Sequence, residues 1–182
     1  MDILTILKKQ AEQVEVFSLE SEKTTVEYEA NQLKTCTVTS TKGTAARVIH
    51  KGRLGFSAST DRMAMDKLAA NVLESAAYGD QTSFSFSGPK PAIPVKTYDK
   101  TIVELSIDHL VEIGEEILDL ILPVDPVVRC NLSLARGLVS ANIRNQKGLD
   151  VSFQTSPLTL SIKLDRMEDN DVLIRYEQFG TM

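Results

Sequence analysis

The sequence is poor in the residues that most often do chemistry. It holds two cysteines, Cys36 and Cys130, and two histidines, His50 and His109. No CxxC, HExxH or other clustered Cys/His pattern occurs, so a structural zinc site is not expected. Two lone thiols make no disulfide framework and fit a reducing compartment, which points to the cytoplasm. Tryptophan is absent and aromatic residues make up only 5%. That speaks against an aromatic platform for nucleic acid or sugar. The formal charge of −5 speaks against a general nucleic-acid binder, whose footprint is basic. There is no apolar run of about 18 residues, so no transmembrane helix is expected. The N-terminal stretch MDILTILKKQ has its acidic and apolar residues before its lysines, the reverse of a signal peptide.

What is present is an ordinary globular balance, 42% hydrophobic and 25% charged over 182 residues. That is enough for one large domain or two small ones. Asp2 is a candidate cap for a first helix over about 2–14, with Ile3, Leu7, Ala11 and Val14 at helical spacing. The pattern then changes to period two. Val26, Tyr28 and Ala30 alternate with threonine and glutamate, as do Cys36 and Val38 with threonine. Asn31-Gln32, Lys42-Gly43 and Lys51-Gly52 are expected turns, giving a meander that ends at Ser59. Ser59, Thr60 and Asp61 offer cap chemistry for a second helix. Its stripe is Met65, Leu68, Ala69, Val72, Leu73 and Ala76, and Gly79 is the expected stop.

Residues 80–100 hold Pro89, Pro91 and Pro94 and read as an extended connection. Within it, Ser83–Ser87 reads as an edge strand, as a segment that docks on a partner, or as a loop. Ser106 or Asp108 can cap a third helix over about 107–122, in which Gly114 costs about 1 kcal/mol relative to alanine. Strands are expected at about 127–136, 138–144, 149–154, 158–165 and 172–178. Gly137, Asn145–Gly148, Pro157 and Glu168–Asn170 lie between them. Leu158, Leu160, Ile162 and Leu164 alternate with polar residues, the sign of a strand buried on one face. The expected fold class is α+β, with two helix-plus-antiparallel-meander units. The division is 1–80 for the first unit, 81–104 for the linker and 105–182 for the second. The order is that of a structural duplication, although helix-then-meander is also common in α+β proteins.

The most individual segment runs from Gly43 to Ser59. It reads as a hairpin that turns at Lys51-Gly52, with Gly55 placed for a close backbone approach or a bulge. Here the sequence resembles the N-terminal region of the TldD/PmbA family, the so-called modulators of DNA gyrase. The family stretch G-x-x-x-R-V-x-x-x-G-R-x-G-F-x-x-S is matched at Gly43, Arg47, Val48, Gly52, Arg53, Gly55, Phe56 and Ser59. The strand at Val26-Glu27, the turn at Asn31-Gln32-Leu33, the segment Val95–Asp99 and the stretch Asn145–Val151 also resemble it.

The resemblance implies a family similar to metallopeptidases that process or degrade peptides and work as dimers. Zinc is held there by HExxxH and a cysteine in a C-terminal domain. The partner-type PmbA/TldE subunit lacks the complete motif. No HExxxH occurs here, so no catalytic, cofactor-binding or metal-binding residue is carried over. The resemblance therefore implies a non-catalytic N-terminal region, with zinc only in the missing C-terminal domain of a catalytic member. The chain would be a truncated form or a natural short homologue, with the partner type slightly favoured by Val95–Asp99. The implied partners are a homodimer mate or a TldD/PmbA-family subunit, with peptide as substrate of the assembly and neither nucleic acid nor membrane. The alternative is a stand-alone protein or peptide interaction module that receives strands at an edge.

Other candidate residues have structural readings. His50 lies beside a hairpin turn without further zinc ligands. His109 and Glu112 make a helix-surface pair that could in principle move protons. Cys36 and Cys130 read as small strand residues, because no base is placed beside them. Using either His109 or Cys36, a small enzyme is the weakest reading, since no nucleophile–base–orienter set exists. Arg47, Lys51 and Arg53 form a basic cluster, read either as a contact for an anion or peptide carboxylate or as a solvated turn with arginine paired to a carboxylate. Asp165, Glu168, Asp169 and Asp171 lack the spacing of a calcium loop and read as a solvated hairpin tip.

Overall fold

Strand-forming residues dominate, and the chain folds accordingly into a mostly antiparallel sheet with a few helices. The structure, a computed structural model, describes residues 2–61, 63–89, 95–169 and 171–181. The elements are α1 (Ile3–Leu7), β1 (Gln13–Glu29), β2 (Gln32–His50), β3 (Arg53–Ser59), α2 (Met65–Tyr78), α3 (Lys100–Val103), α4 (Ile107–Ile121), β4 (Arg129–Asn145), β5 (Asp150–Thr155), β6 (Leu158–Glu168) and β7 (Asp171–Thr181). The hydrogen-bonded strand order is β3-β2-β1-β4-β6-β7, and β5 pairs with β4. Among the described residues no helix is long and apolar enough to cross a membrane.

Contacts sort the chain into two compact units. One holds residues 1–21, 41–95 and 140–154, and the other 22–40, 96–139 and 155–182. Their segments interleave along the chain. The reason is strand length. β1 and β4 have 17 residues each and β2 has 19, so each strand outruns a single small core. In β1, Val14 and Val16 belong to the first core, Val26 and Tyr28 to the second, and Glu22 and Lys23 between them are exposed.

The first core is built from Ile3, Leu4 and Leu7 of α1, Val14 and Val16 of β1, Ala46 and Val48 of β2, and Leu68, Ala69, Val72 and Ala76 of α2. The helix expected over 2–14 stops at Leu7. Gln10 and Ala11 donate back to the Leu7 carbonyl, and Glu12 N–H donates to the Ile49 carbonyl, so the chain is already in the sheet by Val14. Asp2 makes no cap bond; its carboxylate accepts from Arg144 at 2.9 Å. Ser59 and Asp61 also stay outside their expected role. Asp61 accepts from Met63 N–H at 2.8 Å in the preceding loop, while Ala64 occupies the N-cap of α2.

The turn expected at Lys42-Gly43 is absent, and β2 runs through it without a break. The turn at Lys51-Gly52 is present with φ of 52° and 70°, both positive as a two-residue type I′ hairpin requires. Gly55 answers the question of bulge or close approach. The β2–β3 register is unbroken from Thr44↔Ser59 to His50↔Arg53, so there is no bulge. A Cβ at Gly55 would lie 2.3 Å from the Val72 carbonyl oxygen and 2.8 Å from Ala76 Cβ, so the glycine lets α2 sit directly on β3.

The second core joins Val26 and Tyr28 of β1, Leu110 and Leu118 of α4, and Cys130, Leu132 and Leu134 of β4. Leu158, Leu160, Ile162 and Leu164 of β6 pack against it, as their alternation requires. Ser106 caps α4, its hydroxyl accepting from His109 N–H at 3.1 Å. The apparently unfavourable Gly114 makes room for the Tyr28 ring, since a Cβ there would lie 2.4 Å from Tyr28 Cε2. That ring is fixed by its hydroxyl donating to the Val111 carbonyl at 2.9 Å.

The break expected at Gly137 does not occur, and β4 is continuous from Arg129 to Asn145. Gly137 N–H instead donates to the Pro157 carbonyl at 2.8 Å. Turns at Ala30-Asn31, one residue before the expected place, and at Asn145–Gly148 join strands. The expected linker contains α3, capped by Asp99, whose carboxylate accepts from Thr101 N–H at 2.8 Å. Residues 81–89 form neither helix nor strand apart from a bridge of Gln81 to Arg53. Pro91, Pro94 and Asn170 lie outside the described residues.

Candidate functional site

The Gly43–Ser59 hairpin is where the most individual sequence meets the most organised polar structure. Arg47 Nε donates to Glu15 Oε1 at 2.7 Å, and its Nη2 lies 2.5 Å from the same oxygen. The Glu15 side chain is only 10% exposed, so this charge needs its partner. Arg47 also lies 5.0 Å from the centre of the Phe86 ring, a cation–π contact. Asn145 completes the cluster. It is buried, and its Nδ2 donates to the Ser87 carbonyl at 2.7 Å and to Glu15 Oε2 at 3.4 Å. Gln13 Oε1 accepts from Phe86 N–H at 2.9 Å and from Ser85 Oγ at 3.1 Å. The Ser83–Ser87 segment is thus a loop held by side chains, with Phe86 buried and packed edge-on to Phe84.

Arg53 is used differently. Its Nη1 donates to the Gly79 carbonyl at 2.7 Å, at the C-terminal end of α2. Of the three basic residues, two are therefore engaged by the fold, and Lys51 stands exposed at the turn. The cluster was not readable as a whole. Glu15 falls in an alternating strand, and its partner lies 32 residues away, with no local signal linking them.

Beside the hairpin lies an open groove of about 550 Å³, lined by Phe17, Leu19, Gly43, Ala45, Ala58 and Ser59 among others. Phe56 stands 61% exposed on β3. The groove is lined by small and apolar side chains, and Arg47 is already paired with the Glu15 carboxylate.

The second unit offers an edge. β7 ends the strand order, and all its residues are exposed, Val172, Leu173, Ile174, Tyr176 and Phe179 among them. A groove of about 370 Å³ runs beside it between Leu120 and Val124 on one side and Leu164 and Leu173 on the other. The sequence predicts a strand over 172–178, and its exposure carries no local signal.

The remaining candidates are separate. His50 is half-buried at its hairpin. His109 Nδ1 and Glu112 Oε2 are 3.1 Å apart on the exposed face of α4. Cys36 is exposed, and Cys130 is buried in the second core, where burial pushes its thiol pKa up. Asp165 is occupied by Asn131 at 3.1 Å and Lys163 at 2.9 Å. Among the described residues no three His, Cys, Asp or Glu side chains converge as metal ligands. The described residues do not fit a zinc site.

Residues 14–76, which include the whole hairpin, match the sequence profile of PmbA/TldA metallopeptidase domain 1. No curated protein matches the chain. Solved structures do. TldE from Thermococcus kodakarensis superposes with a TM-score of 0.82 at 17% identity, covering 98% of this chain and 42% of that one. A proposed DNA gyrase modulator from Thermotoga maritima gives 0.81 at 17% identity, covering 98% and 41%. A second such protein, from Bacteroides thetaiotaomicron, gives 0.83 at 17% identity, covering 98% and 43%. The fold is therefore shared over nearly the whole chain, which spans less than half the length of each of these relatives.

Proposed function

We propose, from the match of residues 14–76 to PmbA/TldA metallopeptidase domain 1, that the chain is a member of that family and has a non-catalytic role in a peptidase assembly of that type. The chain shapes the route by which peptides reach a catalytic centre held elsewhere, and it associates with itself or with another subunit of the family. Its setting is the cytoplasm, and the weak leaning from Val95–Asp99 is towards the partner-type subunit. The observation that carries this reading is the combination of the Gly43–Ser59 hairpin with a sequence that lacks HExxxH. Zinc chemistry belongs to the C-terminal domain of a catalytic member, and no residue of this chain is assigned a step in it.

The hairpin supplies a rigid support for such a role. Arg47, Glu15, Asn145 and Gln13 fix the 83–87 loop against the sheet, leaving Phe56 and the adjoining groove free for an extended chain. Polar groups locked by several partners hold a surface in one conformation at little entropic cost on binding.

A second reading, a stand-alone interaction module, is favoured by the open edge of β7. Co-purification separates the two. The tagged chain should retain a family subunit that bears HExxxH, and its presence should change that subunit's peptide hydrolysis. Retention only of proteins unrelated to any peptidase subunit would replace the first reading by the second.

A further inference from the structure

We propose that the seat beneath Phe86 is a receptor for a short peptide segment bearing one aromatic residue between small polar ones, and that this chain closes it with its own strap, residues 83–87. Seat and strap both belong to the first compact unit. Such a receptor is independent of the peptidase reading and stands on the geometry of that unit alone.

The strap is held as a bound peptide is held, by side chains. Just before it the chain still pairs with the start of β3. Leu54 N–H donates to the Asp80 carbonyl at 3.0 Å, and Thr82 N–H donates to the Gly52 carbonyl at 3.0 Å. There the pairing ends, and among the described residues 83–87 make no backbone–backbone hydrogen bond. Gln13 Oε1 accepts from Phe86 N–H at 2.9 Å, and Asn145 Nδ2 donates to the Ser87 carbonyl at 2.7 Å. These two amides bracket the aromatic residue and read main chain, which every peptide carries. The selection by side chain falls on Phe86. Its ring lies 5.0 Å from Arg47 Cζ, and a guanidinium favours an aromatic face over an aliphatic side chain. The flanking preference is for a hydroxyl, since Ser85 Oγ donates to Gln13 Oε1 at 3.1 Å and accepts from Lys147 Nζ.

The seat keeps its shape through contacts that do not involve the strap. Glu15 fixes the Arg47 guanidinium, with Nε at 2.7 Å. Asn145 is anchored by its own turn, its Oδ1 accepting from Lys147 N–H at 2.9 Å and from Leu149 N–H at 3.2 Å. A site organised before its ligand arrives loses little entropy on binding.

The strap, in contrast, is a plug that can be lifted. Phe86 is 4% exposed, yet it is part of neither hydrophobic core. Ser83, Phe84, Ser85 and Ser87 around it are exposed. Lifting the strap therefore leaves the packing of α1, α2 and the sheet intact, and segments with few buried contacts and no backbone ladder open at low cost. Its tether holds the plug at an effective concentration of about 1 mM, so a free segment competes poorly until the strap is weakened. The contact is autoinhibitory in that sense.

The probe is the end-blocked pentapeptide Ser-Phe-Ser-Phe-Ser, the sequence of residues 83–87, added to the full chain carrying Phe86→Ala. The variant should keep the wild-type circular dichroism spectrum. NMR titration should move the side-chain amide signals of Gln13 and Asn145 saturably. Wild type should bind at least about tenfold more weakly, because its own strap is in place. Alanine in place of the peptide's second phenylalanine should abolish the shifts, and Gln13→Ala added to Phe86→Ala should weaken binding about fivefold. Loss of the folded spectrum in Phe86→Ala makes Phe86 part of the core and overturns the proposal. So does a peptide that leaves both amides unmoved, or one that binds wild type and variant equally. Undiminished binding of the alanine peptide overturns the aromatic selection. None of these readouts depends on zinc or peptide cleavage.

Discussion

Gly55→Ala is the sharpest test of how the hairpin is built. The added methyl would lie 2.3 Å from the Val72 carbonyl oxygen and 2.8 Å from both the nitrogen and the Cβ of Ala76. All three are backbone or Cβ atoms of α2, and none can turn aside by changing rotamer. Restoring ordinary contact needs a helix displacement of about 1 Å. That loosens Leu68, Val72 and Ala76 against Val48 and Ala46 in the first core. Overpacking costs about 1–3 kcal/mol, and a rigid neighbour puts this site at the upper end, about 3 kcal/mol. The lower chain entropy of alanine in the unfolded state offsets about 0.4–1 kcal/mol of that. The expected net loss is about 2 kcal/mol. Urea unfolding followed by circular dichroism measures it, with amide exchange at Val48 as a reporter of the first unit. Gly52→Ala is the contrast. Nothing lies within 4 Å of the added methyl, and only φ of +70° opposes it, so about 1 kcal/mol is expected. If Gly55→Ala is as stable as wild type, or costs less than Gly52→Ala, the close approach of α2 to β3 is refuted.

Arg47→Ala leaves the buried Glu15 carboxylate without its two strongest contacts and should cost about 2 kcal/mol in the same assay, with faster exchange at Phe86 N–H. Arg47→Lys should recover only part of this, because an ammonium cannot reproduce the guanidinium geometry. A thiol reagent should modify Cys36 at once in the native protein and Cys130 only on unfolding, since Cys130 is buried and its thiol pKa is raised by that burial. Asp99 should titrate below the ordinary aspartate range, because the Thr101 hydroxyl and then the Thr101 N–H bond its carboxylate. A lowered folded pKa means that this contribution to stability is present above the unfolded value and is lost as pH falls through the folded one. Carbon-detected NMR should show Thr101→Val moving the Asp99 titration upward.

The sequence made the hairpin at Lys51-Gly52 legible because both turn positions needed positive φ and a glycine stood at one of them. It made α4 legible because a serine cap precedes an apolar stripe. Lys42-Gly43 and Gly137 misled for one reason: a single glycine reads as punctuation locally, but in β2 and β4 the strand continues through it. Val14 misled in the opposite sense. Its spacing from Ile3, Leu7 and Ala11 fits a helix, and tertiary pairing of Glu12 to Ile49 decided for strand. The two compact units were hidden because their cores draw on segments far apart in the chain. The site followed the same pattern. Arg47 and Gly55 stood out in one motif and Asn145 in another, whereas Glu15 and Phe86 act only through contacts that no local spacing encodes.

The central claim is that this polypeptide contributes to a peptidase assembly without carrying its catalytic metal. Zinc analysis of the purified 182-residue chain, paired with a peptide-cleavage assay on the same sample, addresses it most directly. The account predicts zinc far below one equivalent and no cleavage above background. Stoichiometric zinc together with peptide cleavage by the chain alone would contradict it.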